Sequence, residues 1–171
     1  MANQFEIQGK TEDKRIKNRI HKGNKWDRRF LELAKHISLW SKDPSTKCGA
    51  VIVRQDRTIA SIGFNGFPMD MYDNIDNYNS REEKYGRIIH AEMNALIHAK
   101  ESVRGCTLYT WPMQSCNRCM VHMIQAGIER FVAPRVSGET LERWKDSFKK
   151  TQEYANECGR KIELIDIDLG E

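Results

Sequence analysis

Apolar residues between Trp26 and Trp40 fall at Phe30, Leu31, Leu33, Ala34, Ile37 and Leu39, the spacing of one helical face, and predict a first helix there. "SKDPSTK" closes it, because Asp-Pro and small polar residues favour a turn. The period then changes. "CGAVIVRQ" and "TIASIGFN" are rich in β-branched residues and read as two strands of a hairpin, joined by a short turn near Asp56. After "GFNGFP" comes "MDMYDNIDNYNSREEKYG", a polar run expected to form a long loop, and loops of this length are usually functional or disordered. A helix from about His90, the strand "CTLYTW", a helix from about Asn117, the strand "RFVAP", a charged helix within 138–157 and the strand "KIELIDI" follow. Strands alternating with helices in this half predict crossover units and an α/β sheet covered by helices on both faces. No internal repeat or low-complexity segment interrupts the pattern.

Length and composition narrow the class. The chain's 171 residues suit one domain, expected over residues 26–171 behind a basic leader of residues 1–25. Residues 10–29 carry nine Lys or Arg against three acids. The interleaved aromatics of a single-strand binder are missing there, so a solvated leader is favoured over a nucleic-acid arm. No apolar run approaches the roughly 18–20 residues that span a bilayer, and the first residues lack an apolar signal region, which together predict a cytoplasmic protein. Five cysteines with one close pair argue against a disulfide framework and for metal-binding or catalytic use of that pair. A net charge of +4 suits an anionic small molecule as well as nucleic acid.

Two short motifs carry the chemistry. In "SCNRC", Cys116 and Cys119 open a predicted helix, where residues three apart are neighbours and the free amides of the first turn favour thiolate. Alone, the pair reads as half a structural zinc site, a redox pair or two small core residues. Zinc leads, because a thioredoxin-like pattern is missing. In "IIHAEMNAL", His90 opens another helix with Glu92 two residues on. His90, Cys116 and Cys119 make three ligands, and three with an open fourth position mark a catalytic rather than a structural zinc site. Cys48, Cys106, Cys158 and the other histidines lack a comparable helix-opening motif. Cys106 and Cys48 fit better as small hydrophobes, and His98 and His122 as helix-surface residues. Glu92 can take a proton from a zinc-bound water, whose pKa falls from 15.7 to about 7, and pass it to a substrate nitrogen. A capping His followed by a first-turn Glu is the bland alternative for "HAE" by itself.

With "SKDPSTKCGAVIV", "IGFNGFP", "HAEMNAL", "GCTLYTWPMQSCNRC" and "IQAGIERFV" in order from about Trp26 to Asp168, the chain resembles the zinc-dependent cytidine deaminase superfamily. Within it the likeness is to the deoxycytidylate (dCMP) deaminase family. The resemblance implies a three-layer α/β/α fold around a mixed five-stranded sheet. It also implies hydrolysis of dCMP to dUMP and ammonia, Zn²⁺ on His90, Cys116 and Cys119, and Glu92 as acid and base. Asn65 in "GFNG" and Ala91 between His90 and Glu92 are expected at the substrate, and Lys42 could add charge nearby. One departure stands out: Ser115 occupies the place where the family usually has Pro, and Pro112 lies upstream with "MQ" between, so Gln114 and Ser115 offer donors to substrate that Pro cannot. Family members are commonly hexamers activated by dCTP and inhibited by dTTP. Asp70, Asp73 and Asp76, beyond "GFNG", are the expected helpers of the Mg²⁺ that would accompany such an effector. The competing readings are a polynucleotide deaminase acting on tRNA adenosine or single-strand cytosine, and a non-catalytic zinc module.

Overall fold

The computed structural model describes residues 23–169, so the leader read from the sequence lies almost wholly outside the described residues. Six helices and five strands follow one another: α1 (Lys25–Ser38), β1 (Gly49–Val53), β2 (Ile59–Phe64), α2 (Ile75–Asn79), α3 (Arg81–Arg87), α4 (Ala91–His98), β3 (Thr107–Trp111), α5 (Asn117–Ala126), β4 (Arg130–Pro134), α6 (Gly138–Glu157) and β5 (Lys161–Ile165). The sheet order is β2-β1-β3-β4-β5. β1 runs antiparallel to β2 and β3, and β3, β4 and β5 are parallel, so the sheet is mixed and five-stranded as expected.

Strand alternation sends residues to two cores. Ala50, Ile52, Leu108 and Phe131 join Ala91, Ala95, Met120 and Met123 on one face. Val51, Val53, Tyr109 and Val132 meet Phe30, Leu31 and Ala34 of α1 on the other. Helices on both faces give the three layers.

Two glycines set how closely the helices lie. A Cβ on Gly49 would fall 2.0 Å from the Ala34 carbonyl oxygen, so only glycine lets β1 pass beneath α1. A Cβ on Gly63 would fall 2.3 Å from the Ala95 nitrogen and 2.4 Å from the Ala91 oxygen. Gly63 therefore seats α4, and with it the residues at its start, directly on β2.

Three boundaries differ from the sequence reading. The first helix begins earlier, because the Asn24 side chain accepts from the Trp26 and Asp27 amides while the Asp27 carboxylate accepts from the Asn24 amide. It also ends at Ser38, leaving Leu39 and Trp40 exposed in the turn. The polar run after "GFNGFP" is not an unstructured loop: it holds α2 and α3, capped by Asn74 and Ser80. Tyr78 anchors it, buried and stacked on Phe67 with ring centroids 4.1 Å apart. Helices of five and seven residues are too short to show a periodic apolar face, which is why the pattern missed them. Among the described residues no helix is long and apolar enough to cross a membrane.

Candidate metal centre and substrate cleft

Two helix starts meet at the carboxyl end of β3. His90 is the N-cap of α4 and Cys116 the N-cap of α5, each with extended backbone; the His90 side chain makes no cap hydrogen bond to its helix, whereas the Cys116 sulfur accepts from the Cys119 amide. The His90 approach is pinned by a bridge in which Ile89 and Gly66 exchange backbone hydrogen bonds of 2.9 and 3.1 Å. The Cys116 approach is held by α6: Thr151 donates to the Ser115 carbonyl at 3.1 Å, and Ser147 accepts from the Asn117 amide at 3.1 Å.

His90 Nδ1 lies 3.6 Å from Cys116 Sγ and 3.4 Å from Cys119 Sγ. Tetrahedral bonds of about 2.3 Å to sulfur and about 2.05 Å to nitrogen would separate the donor atoms by about 3.6 Å, so the three groups already stand at zinc-ligand spacing. All three donor atoms lie within 4.8 Å of one another, and among the described residues no other group of three or more such side chains gathers in this way. Hydrogen bonds from Cys119 draw the Cys116 thiol downward, and the Cys119 amide donates to its sulfur at 3.5 Å. Cys119 is displaced upward by its hydrogen bond to Cys116, the opposite direction to its partner.

The remaining candidates take other places. Cys106 is buried in the core, Cys158 is exposed, and Cys48 is half-buried beside the cleft outside the ligand group. His98 and His122 turn their Nδ1 atoms to the carbonyls of Asn94 and Arg118 on helix surfaces, at 2.8 and 2.7 Å.

Glu92 is buried beside this centre, and both it and Ala91 line the same cleft. Burial pushes its carboxyl upward, against the opposing charge of His90 and a side-chain hydrogen bond from Ser115. The residue that replaces the family's usual Pro thus has its hydroxyl on the carboxylate. Gln114 also lines the cleft, and its buried Oε1 has no hydrogen-bond partner.

The cleft has about 710 Å³ of space counted together with its open mouth. Asn65 lines it, with its amide engaged by the protein: Oδ1 accepts from the Cys48 amide at 2.8 Å, and Nδ2 donates to Asp43 at 3.1 Å and the Thr46 carbonyl at 3.0 Å. Lys42 is exposed and pairs with Asp73 at 2.7 Å. The buried cation at the site is Lys84 of α3, 2.7 Å from Asp43. Sequence reading passed over Asp43, Lys84, Tyr85 and Arg143, since nothing in local pattern brings α3 and α6 to the cleft. Asp70, Asp73 and Asp76 are not gathered into a common ligand group.

An α/β/α layer fold with a three-ligand centre and an adjacent buried carboxylate defines a metal-dependent hydrolase. The model for the cytidine and deoxycytidylate deaminase zinc-binding region matches residues 24–134, and the chain belongs to this family. A protein of Aliivibrio fischeri described as an uncharacterized deaminase in the luxG 3' region is 36% identical over 146 residues, covering 85% of this chain and 97% of its own. A probable deoxycytidylate deaminase of Caenorhabditis elegans is 40% identical over 106 residues, and the mouse deoxycytidylate deaminase 34% over 113. This chain spans 53% and 63% of those two proteins. The crystal structure of a dCMP deaminase from cyanophage S-TIM5 with dCMP and dUMP matches with a TM-score of 0.67 at 22% identity, over 85% of this chain and all of that one, and shows the shared fold.

Proposed function

We propose that this chain hydrolyses dCMP to dUMP and ammonia. The observation that carries the reading is the His90, Cys116 and Cys119 triad at zinc-ligand spacing, with the buried Glu92 carboxylate beside it in one cleft. The names of the relatives supply the choice of dCMP. When bound, Zn²⁺ lowers the pKa of water and polarises the reacting carbon's substituents. Glu92 takes a proton from the attacking water as the C4–O bond forms and passes protons on, so that one water proton ends on the amino nitrogen as the C4–N bond then breaks and the other on ring N3 of dUMP. Its raised pKa suits both roles, since a carboxyl that holds a proton in a dry site can also return it. Asn65, Ala91 and Gln114 line the cleft around the base, and Ser115 lies buried behind it, beside Glu92 rather than in the lining. We place the activity in the cytoplasm, where the free thiols stay reduced.

The regulated form of the reading is a hexamer activated by dCTP and inhibited by dTTP. It is supported by a physical link: Lys84 of α3 holds one Asp43 oxygen and Asn65 holds the other, so movement of the α2–α3 segment reaches a cleft residue through two hydrogen bonds. With Asp70, Asp73 and Asp76 apart, Mg²⁺ would enter on the effector's phosphates with one carboxylate or through water.

Ammonia release is expected from dCMP and much less from dCTP, deoxycytidine or a cytosine-containing oligonucleotide. Velocity against dCMP should be sigmoidal, turning hyperbolic with dCTP and Mg²⁺ and falling with dTTP. Preference for the oligonucleotide would replace the reading with a polynucleotide deaminase. Hyperbolic kinetics blind to both triphosphates would remove the regulation and leave the reaction.

A further inference from the structure

A second cavity lies at the end of the sheet away from the metal ligands. Val53 closes β1 and Thr107 opens β3 there, on the face covered by α1, whereas the ligands gather at the carboxyl end of β3. It has about 870 Å³ of space counted together with its open mouth. Phe30 and Tyr109 supply an aromatic wall, four cations, Lys25, Arg54, Arg57 and Arg130, line the rest, and no carboxylate lines it.

These cations are not equivalent. Hydrogen bonds to Asp27, Tyr109 and Glu163 engage every N–H group of Arg130, so its charge is answered inside the fold. Arg54 pairs with Glu101 and donates to Thr58 and to the Ile59 carbonyl. Lys25 and Arg57 remain. Among the described residues neither forms an ion pair, and the nearby acid Asp56 accepts instead from the Thr58 amide and hydroxyl. The Arg57 guanidinium lies 4.9 Å from the centre of the Trp26 ring and that of Arg29, also without a carboxylate, 4.8 Å from it, so two like charges meet at one indole.

The backbone adds an independent sign. Arg57 sits at φ 72° in a turn closed by hydrogen bonds from the Arg54 amide to the Thr58 carbonyl, 2.8 Å, and from the Arg57 amide to the Arg54 carbonyl, 3.0 Å. Glycine fits that left-handed position better than any residue with a Cβ. An arginine there carries its side chain to Trp26 and the cavity at a local conformational cost, as groups kept for a ligand often do.

We infer that this cavity is a second anion site, separate from the substrate cleft, and that it takes a small polyphosphate. Two cations with spare donors on a concave wall suit the adjacent charges of a di- or triphosphate. A single strand of nucleic acid would need a free aromatic face for its bases. The Trp26 ring is already taken by Arg29, Arg57 and Phe30, whose ring centroid lies 6.0 Å away. The site stands whether or not dCMP is the substrate.

Inorganic tripolyphosphate is the probe, titrated by calorimetry into the full chain at about 0.15 M salt, where diffuse surface charge is screened. Saturable binding at a single site is expected. Arg57→Gly should weaken it by roughly 10- to 100-fold, the loss of a charge-assisted contact. Its unfolding midpoint should stay within about 2 °C of wild type, because glycine suits the turn. Lys25→Ala, in the first turn of α1 where alanine is well tolerated, should weaken binding in the same direction and tests the site without touching the turn. Lys149→Ala removes an exposed charge from α6 and should change affinity by less than about twofold. Saturating dCMP on Glu92→Gln protein should leave tripolyphosphate binding unchanged. The site is overturned by absence of saturable binding, by unchanged affinity in Arg57→Gly and Lys25→Ala, or by an equal loss in Lys149→Ala. Displacement by dCMP, which would put the anion in the substrate cleft, or tighter Arg57-dependent binding of a single-stranded oligonucleotide, overturns it as well.

Discussion

Glu92→Gln is expected to keep about one zinc per chain and lose dCMP turnover by about 10²–10⁴-fold, the usual contribution of a positioned acid and base. The amide matches the carboxyl in size and leaves His90, Cys116 and Cys119 untouched, so the metal site should survive. What disappears, on the proposed mechanism, is the group that accepts a proton from water and returns it to the leaving nitrogen. Cys119→Ala separates the two functions from the other side: it removes a ligand from the triad, and both zinc and turnover should be lost. Metal analysis and initial rates on the same preparations check both. Substantial turnover by Glu92→Gln would remove Glu92 from the chemistry.

Arg130→Met should be among the most destabilising single changes, by about 3 kcal/mol, the low end for breaking a buried ion pair because the arginine is partly exposed. Arg130 grips two carboxylates at once. Its Nη1 and Nη2 donate to Asp27 at 2.8 and 2.9 Å, and its Nε and Nη2 donate to Glu163 at 3.1 and 2.7 Å. Tyr109 adds a hydrogen bond of 2.8 Å to Asp27, so one cluster ties α1, β3, β4 and β5. Removing the guanidinium leaves Asp27 buried without its cation and Glu163 with Lys161 alone.

The pH dependence of stability follows from the same cluster. Hydrogen bonds from Arg130 depress Glu163 from an ordinary 4.5 to about 2. Burial raises Asp27, but its hydrogen bonds to Arg130 and Tyr109 outweigh that and lower it. A depressed carboxylate stabilises the fold above its unfolded pKa and ceases to as pH falls through the folded one. Wild-type stability should therefore drop as pH falls from about 4.5 towards 2, and Arg130→Met should flatten that dependence. Thermal melts should show a midpoint lowered by about 6–12 °C at neutral pH, at roughly 2–4 °C per kcal/mol for a chain of this size. A change within about 2 °C would mean that the cluster stabilises little.

Much of the fold was legible because its elements are local patterns. The alternation of Ala50 and Ile52 against Val51 and Val53 is the strand period itself, and the α1 face from Phe30 to Ile37 is the helix period. The metal triad was legible because His90 and Cys116 each open a helix and Cys119 follows in the first turn, positions that residue order reveals. Arg143, Tyr85 and Lys84 were hidden because charged residues on helices normally face water, and only the tertiary fold turns these three into the cleft. Asn65 shows another limit. It was expected at the substrate, but the hydrogen bonds that occupy its amide come from Cys48, Asp43 and Thr46, whose approach depends on the closure of β1 on β2.

The most direct test of the central claim, that His90, Cys116 and Cys119 form the metal centre of a dCMP deaminase, is a metal titration of activity. Protein stripped of metal is given increasing Zn²⁺, and dUMP formation from dCMP is followed. Turnover should rise in proportion to zinc and reach its plateau at about one ion per chain, matching the one tetrahedral site that the three ligands can build. Full turnover by the zinc-free protein, or no turnover after one equivalent has bound, would contradict the account.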